Sequence, residues 1–160
     1  MSIPSGSVDN VISNLNKKLQ EIQNKSLMGL IKGAKLIYED MESTVPLIPV
    51  DLGNLRKSFF IVTSNGGVIQ GNSATFVGDD AGKISEGHLA TIQEAKGTRA
   101  GVLKGPYVVF GFGAYYAVYV HEMIGASFQR QGAGALFFSN AIARNSNRIL
   151  KLVAQEVKSK

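Results

Sequence analysis

The chain has no cysteine and no tryptophan, only two histidines and four prolines among 160 residues, and a charged fraction of just 18%. Without cysteine there is no disulfide framework, no cysteine-based zinc site and no thiol redox chemistry, a usage that suits a reducing cytoplasm. Scarce histidine narrows catalysis as well. His121-Glu122 is the most suggestive pair, but a zinc-protease helix needs H-E-x-x-H to set two imidazoles one turn apart, and position 125 is glycine while the other histidine is distant His88. A serine nucleophile has no G-x-S-x-G elbow to sit on. Gly111-Phe112-Gly113 lacks the third glycine of a dinucleotide fingerprint, and Gly78 to Lys83 lacks both the spacing of a phosphate loop and the hydroxyl residue after its lysine. No stretch approaches the ~20 apolar residues of a membrane span. Met1 to Asn10 has neither the basic start nor the apolar middle of a secretion signal, so neither export nor insertion is expected. These absences predict a protein with no catalytic residues, no cofactor and no metal.

What is present is a mild basic excess and abundant glycine. Seventeen Lys and Arg against 12 Asp and Glu give a net charge of +5. That favours anionic neighbours, nucleic acid or an acidic protein surface, although it is also ordinary for a soluble domain. Eighteen glycines point to a chain rich in turns, shaped to fit against neighbours more than to enclose a small molecule. The length is that of one domain able to bury a core without covalent staples.

Val45 to Phe60, VPLIPVDLGNLRKSFF, divides the chain. Pro46 and Pro49 cannot continue a helix and push Val45 and Ile48 toward extended geometry. Asp51-Leu52-Gly53-Asn54 carries turn chemistry, and Leu55 to Ser58 lead into Phe59 to Thr63, whose aromatic and β-branched residues read as a strand. Before this junction, a flexible or partner-bound tail is expected over 1–7 and a helix over 8–44. Apolar residues recur there at three- and four-residue steps from Val8 to Met41, with Ser7 or Asp9 as cap and Pro46 as boundary. Asn24 to Ser26 is a soft point at which the pattern could instead break into two helices. Unbroken, the helix would run about 55 Å at ~1.5 Å per residue, more than a small domain needs to cover its own sheet, so part of it should touch something else.

After the junction, residues 45–131 read as a sheet region. Phe59 to Thr63 and Val68 to Gln70 flank Asn65-Gly66, a hairpin signature, and Ala74 to Gly78 suggests a third short strand. Residues 78–105 read as a long excursion between strands, with a weak helical patch from His88 to Lys96. Its basic members Lys83, Lys96, Arg99 and Lys104, with Arg130 in the later glycine-rich loop, are candidate partner contacts, and its balanced charge argues against a phosphate-binding arm. Pro106 to Gly113 reads as a strand. Tyr115 to Glu122 fits strand and helix equally, and residues 132–160 hold the second long helix, with cations toward its end.

Pro49-Val50-Asp51-Leu52-Gly53-Asn54-Leu55-Arg56-Lys57-Ser58 resembles the P-V-D-T-G-x-L-R-x-S signature of the HK97 gp10-like proteins of tailed phages. Tyr116-Ala117-Val118-Tyr119-Val120-His121-Glu122 resembles their Y-A-x-Y-V-H-E segment, and Gly132 to Ala141 the G-x-A-K-F-L-x-x-A start of their last helix. Leu136 and Phe138 stand there for the usual Lys and Leu, and Ser139 for a frequent acid. Order and spacing agree from about residue 45 to the C-terminus. The resemblance implies an α+β fold, a curved antiparallel sheet flanked by a long N-terminal and a C-terminal helix. It also implies a homo-oligomeric ring in the virion neck or tail, assembled in the host cytoplasm, meeting connector or adaptor and tail proteins with DNA passing through its bore. Asp51, Gly53, Arg56, Tyr116, Tyr119 and Glu122 become the motif residues. Asp51 or Arg56 is expected to bond the Tyr116 to Glu122 segment and so hold the helix-to-sheet junction. A tail-terminator or minor capsid role is the near alternative, a small basic nucleic-acid-binding protein the distant one, and a hydrolase lacks its residue set.

Overall fold

The computed structural model describes residues 5–97 and 103–160. The chain is α+β: helix α1 (Ser5–Ser43), a single turn α2 (Asn54–Lys57), strands β1 (Phe59–Thr63) and β2 (Val68–Gln70), helix α3 (Ala81–Gly97), strand β3 (Val108–Phe112), a short α4 (Ala117–Glu122) and the long α5 (Phe137–Lys158). The three strands form an open antiparallel sheet in the order β2-β1-β3. β1 is central and buried along its whole length because both faces are covered. Phe59 and Ile61 pack with Ile37, Met41, Phe137 and Ala141 from α1 and α5, while Phe60 and Val62 pack with Ile92 and Ala95 of α3.

α1 is one unbroken helix, so the soft point at 24–26 does not divide it, and Ser26 instead returns its hydroxyl to the carbonyl of Ile22. The helix already includes Ser5 to Ser7, so neither Ser7 nor Asp9 is its cap, and the remainder of the expected tail lies outside the described residues. It ends at Ser43, shortly before the cis Val45–Pro46 peptide. α5 lies antiparallel along its C-terminal half: Lys32 pairs with Glu156, and Arg144 Nε donates to Asp40 Oδ2 at 3.0 Å. Gly29 and Gly33 bring the two backbones together, since a Cβ on Gly29 would lie 2.6 Å from Val153 Cα and one on Gly33 2.8 Å from Ile149 Cγ2.

The hairpin between β1 and β2 forms where Asn65-Gly66 places it, with Gly66 at φ 81. Three expectations are corrected. Ala74 to Gly78 is not a strand; the Asn54 amide takes both backbone groups of Val77, Nδ2 donating to its carbonyl at 2.7 Å and Oδ1 accepting its N–H at 3.0 Å, so no strand partner is needed. Residues 78–105 are not an irregular excursion, because α3 fills most of the span and buries Ile84, His88, Ile92 and Ala95. Leu55 to Ser58 do not lead straight into the strand, since Gly53 at φ 80 starts the extra turn α2. Tyr115 to Glu122 resolves as helix, with Ala117 buried. Among the described residues no helix is long and apolar enough to cross a membrane.

Candidate functional site

Chain segments far apart in sequence converge where α1 ends. Glu42, in the last turn of α1, receives two arginines. Arg130 Nη2 lies 3.1 Å from Glu42 Oε2 and donates to the Glu42 carbonyl at 3.0 Å, while its Nη1 donates to the Ile48 carbonyl at 3.0 Å. Arg56 Nε sits 3.0 Å from Glu42 Oε1, a charge contact whose N–H is not aimed well enough to satisfy that oxygen as a hydrogen bond. Arg56 therefore holds the junction by reaching back to α1, not forward to the Tyr116 to Glu122 segment as expected. One turn away, Arg144 Nη1 donates to the Val45 carbonyl at 3.3 Å while the same side chain grips Asp40. Burial alone would raise the Asp40 carboxyl, but hydrogen bonds from Arg144, Asn145 and Thr44 outweigh it and hold the pKa below the usual carboxylate range. Leu47 is stitched to the glycine-rich loop by Leu47 N–H to Gly132 O at 2.8 Å and Gly134 N–H to Leu47 O at 3.2 Å.

Beside this junction lies an open cleft of about 530 Å³. It is lined by Pro49 to Leu55, by Tyr116 and Val120, by Val77 to Asp80 with Ile84, and by Ser127 to Gln129. Asp51 and Tyr116, one from each motif, thus face the same space. Burial, followed by the negative surroundings that include Asp51 and Asp80, raises the pKa of the Tyr116 phenol. At the rim Tyr115 donates to Asp80 Oδ2 at 3.2 Å, and the Lys83 ammonium stands 3.9 Å above the Tyr115 ring.

His121 has a structural task. Its carbonyl accepts the Leu136 N–H at 2.8 Å and its Nε2 accepts the Ser139 N–H at 3.3 Å, so it satisfies donors that the first turn of α5 leaves free. With Nε2 accepting, the ring proton sits on Nδ1, which donates to Glu122 Oε1 at 2.8 Å. The last segment of the second motif is thereby the cap that launches the last helix. His88 is committed through one nitrogen only: its Nε2–H donates to Gly71 O at 2.7 Å, the ring is buried near Phe60 and Phe76, and its Nδ1 has no hydrogen-bond partner among the described residues.

Of the residues singled out from sequence, Asp51, Gly53, Arg56 and Tyr116 are gathered at the junction and cleft, and Glu122 at the α5 cap. Tyr119 points to solvent at 71% exposure. Lys83, still exposed, stands over the Tyr115 ring, and Arg130 contacts Glu42 and Ile48 of its own chain. Lys96 lies at the end of α3, Lys104 is exposed in the following loop, and Arg99 lies outside the described residues. Sequence reasoning missed Glu42, the hub of both arginines, because a glutamate in a helical pattern is indistinguishable from a solvated one. It also missed Gly29 and Gly33, although small residues four apart signal close helix packing. Among the described residues no group of three or more His, Asp or Glu is placed to hold a metal ion.

Comparison with protein-family models, curated proteins and solved structures gives no match. The likeness to the phage family therefore rests on the motif residues alone.

Proposed function

We propose that this chain is a non-enzymatic structural protein of a tailed-phage virion, a tail-completion or neck component that forms a ring joining the head connector to the tail. The observation that carries the reading is convergence. Pro49 to Leu55 of the first motif and Tyr116 and Val120 of the second line one cleft, although 57 residues of chain separate the two motifs. The third motif runs into the first turn of α5, whose entry the second motif caps. Segments chosen by resemblance alone thus lie together in the fold, which supports the reading of a shared frame. The same frame would serve a tail terminator or minor capsid protein, because fold does not fix position in the particle.

The test is electron microscopy of lysates from a phage that lacks this gene. Separate DNA-filled heads and finished tails are the expected result. Normal infectious particles would remove the reading.

A further inference from the structure

The helix α1 carries one continuous seam with two fates. Val8, Ile12, Leu15, Leu19 and Ile22 follow alternating steps of four and three, the 3.5-residue repeat of a helix that packs along another helix. Continued at the same period, the seam passes through Ser26, Gly29, Gly33 and Asp40. Gly29 and Gly33 face Val153 and Ile149 of α5, and Asp40 meets Arg144. From Ser26 onward the seam is therefore occupied. α5 stops at Lys158, with the Ser159 carbonyl bonded by Lys25, and beyond that point the five apolar residues are bare, 38–64% exposed. Twenty residues of helix, about 30 Å at ~1.5 Å per residue, extend past their packing partner.

We infer that this bare seam is an interaction surface for a second copy of the chain, whose own α1 enters antiparallel along the line of α5. Three observations select that occupant. The seam continues an interface already formed with an antiparallel helix. A parallel copy following it inward would run into the end of α5 beside Lys25, whereas an antiparallel copy can begin there, its Ser5 opposite Ile22, and leave past the other end into its own body. That register places Val8 opposite Leu19 and Ile12 opposite Leu15, so the apolar layers mate in both copies at once. The flanks carry little charge against it: Val11, Asn16 and Gln23 are uncharged, Lys18 and Lys25 are engaged by Glu21, whose pKa they hold down at about 2, and Asp9 adds a single negative charge.

The pair is two-fold and self-complementary, hence closed. It stands independently of the ring reading: it is a state of the free protein, and ring closure would require the pair to open or two rings to meet back to back.

The native absence of cysteine makes the test clean. Purified full-length Val8→Cys and Leu19→Cys proteins are mixed under mild oxidation, with the wild-type mass followed by light scattering across dilution. The expected results are a mixed Val8→Cys to Leu19→Cys disulfide in preference to either self-linked species, and a wild-type mass of twice 17.1 kDa that falls to 17.1 kDa in Leu15→Asp while circular dichroism still reports a folded body. A preferred Val8→Cys self-link would overturn the antiparallel register. A wild-type monomer at every concentration would overturn the pairing, including one whose stripe binds anionic lipid vesicles instead.

Discussion

The two halves of α1 share a helix, a repeat and an apolar seam, yet they live in different environments. From Ser26 on, the seam is closed by α5 at a distance so short that only glycine fits at 29 and 33. Before it, larger side chains at the equivalent positions stand in solvent. A stripe of Val, Ile and Leu at regular spacing is thus no evidence of burial within the chain. What decides is whether another element is long enough to reach it, and α5 is 22 residues against the 39 of α1. The overhang persists as helix because it grows from a docked segment and needs no nucleus of its own.

The comparison breaks first in the inner half. Ile37→Ala, at a fully buried position, should cost about 2–5 kcal/mol in chemical denaturation. Next comes Arg130→Ala. It removes charged hydrogen bonds to the carbonyls of Glu42 and Ile48 and should cost about 1.5–3 kcal/mol, with faster amide exchange at Ile48 and Gly134 as its local signature. Gly29→Ala adds a methyl where Val153 leaves no room, and about 1–3 kcal/mol of overpacking should exceed any gain in helix propensity. Asp40 supplies a pH-dependent contribution. Its folded pKa lies below the unfolded one, so the stabilisation is present above the ordinary carboxylate range and is lost as pH falls through the folded value; acid titration of wild type against Asp40→Asn should show a steeper decline in wild type. Smallest is Leu15→Ala in the outer half, which should change the denaturation midpoint of the dilute protein by under about 0.5 kcal/mol.

The two long helices, the hairpin and the junction were legible because each announces itself locally, through spacing, through Asn65-Gly66 or through prolines. What stayed hidden depends on contacts between distant residues. α3 was legible only as a weak helical patch from His88 to Lys96 because its buried face is Ile84, His88, Ile92 and Ala95, with a histidine in the place of a hydrophobe and glycines at 82 and 87 diluting the pattern. Val77 imitated a strand residue because a side chain, Asn54, supplies its backbone partners. The sequence points Arg56 toward the Tyr116 to Glu122 segment and Arg130 toward a partner, whereas the carboxylate they share, Glu42, arrives from distant α1. The helix-capping task of His121 was not legible either, since it requires α5 to begin beside it.

Backbone hydrogen exchange along α1, measured at high and low protein concentration, tests the division most directly. Protection over residues 26–43 should not depend on concentration, because α5 travels with it, whereas protection over 8–22 should rise as the protein is concentrated and the second copy arrives. Equal and concentration-independent protection in both halves would contradict the account.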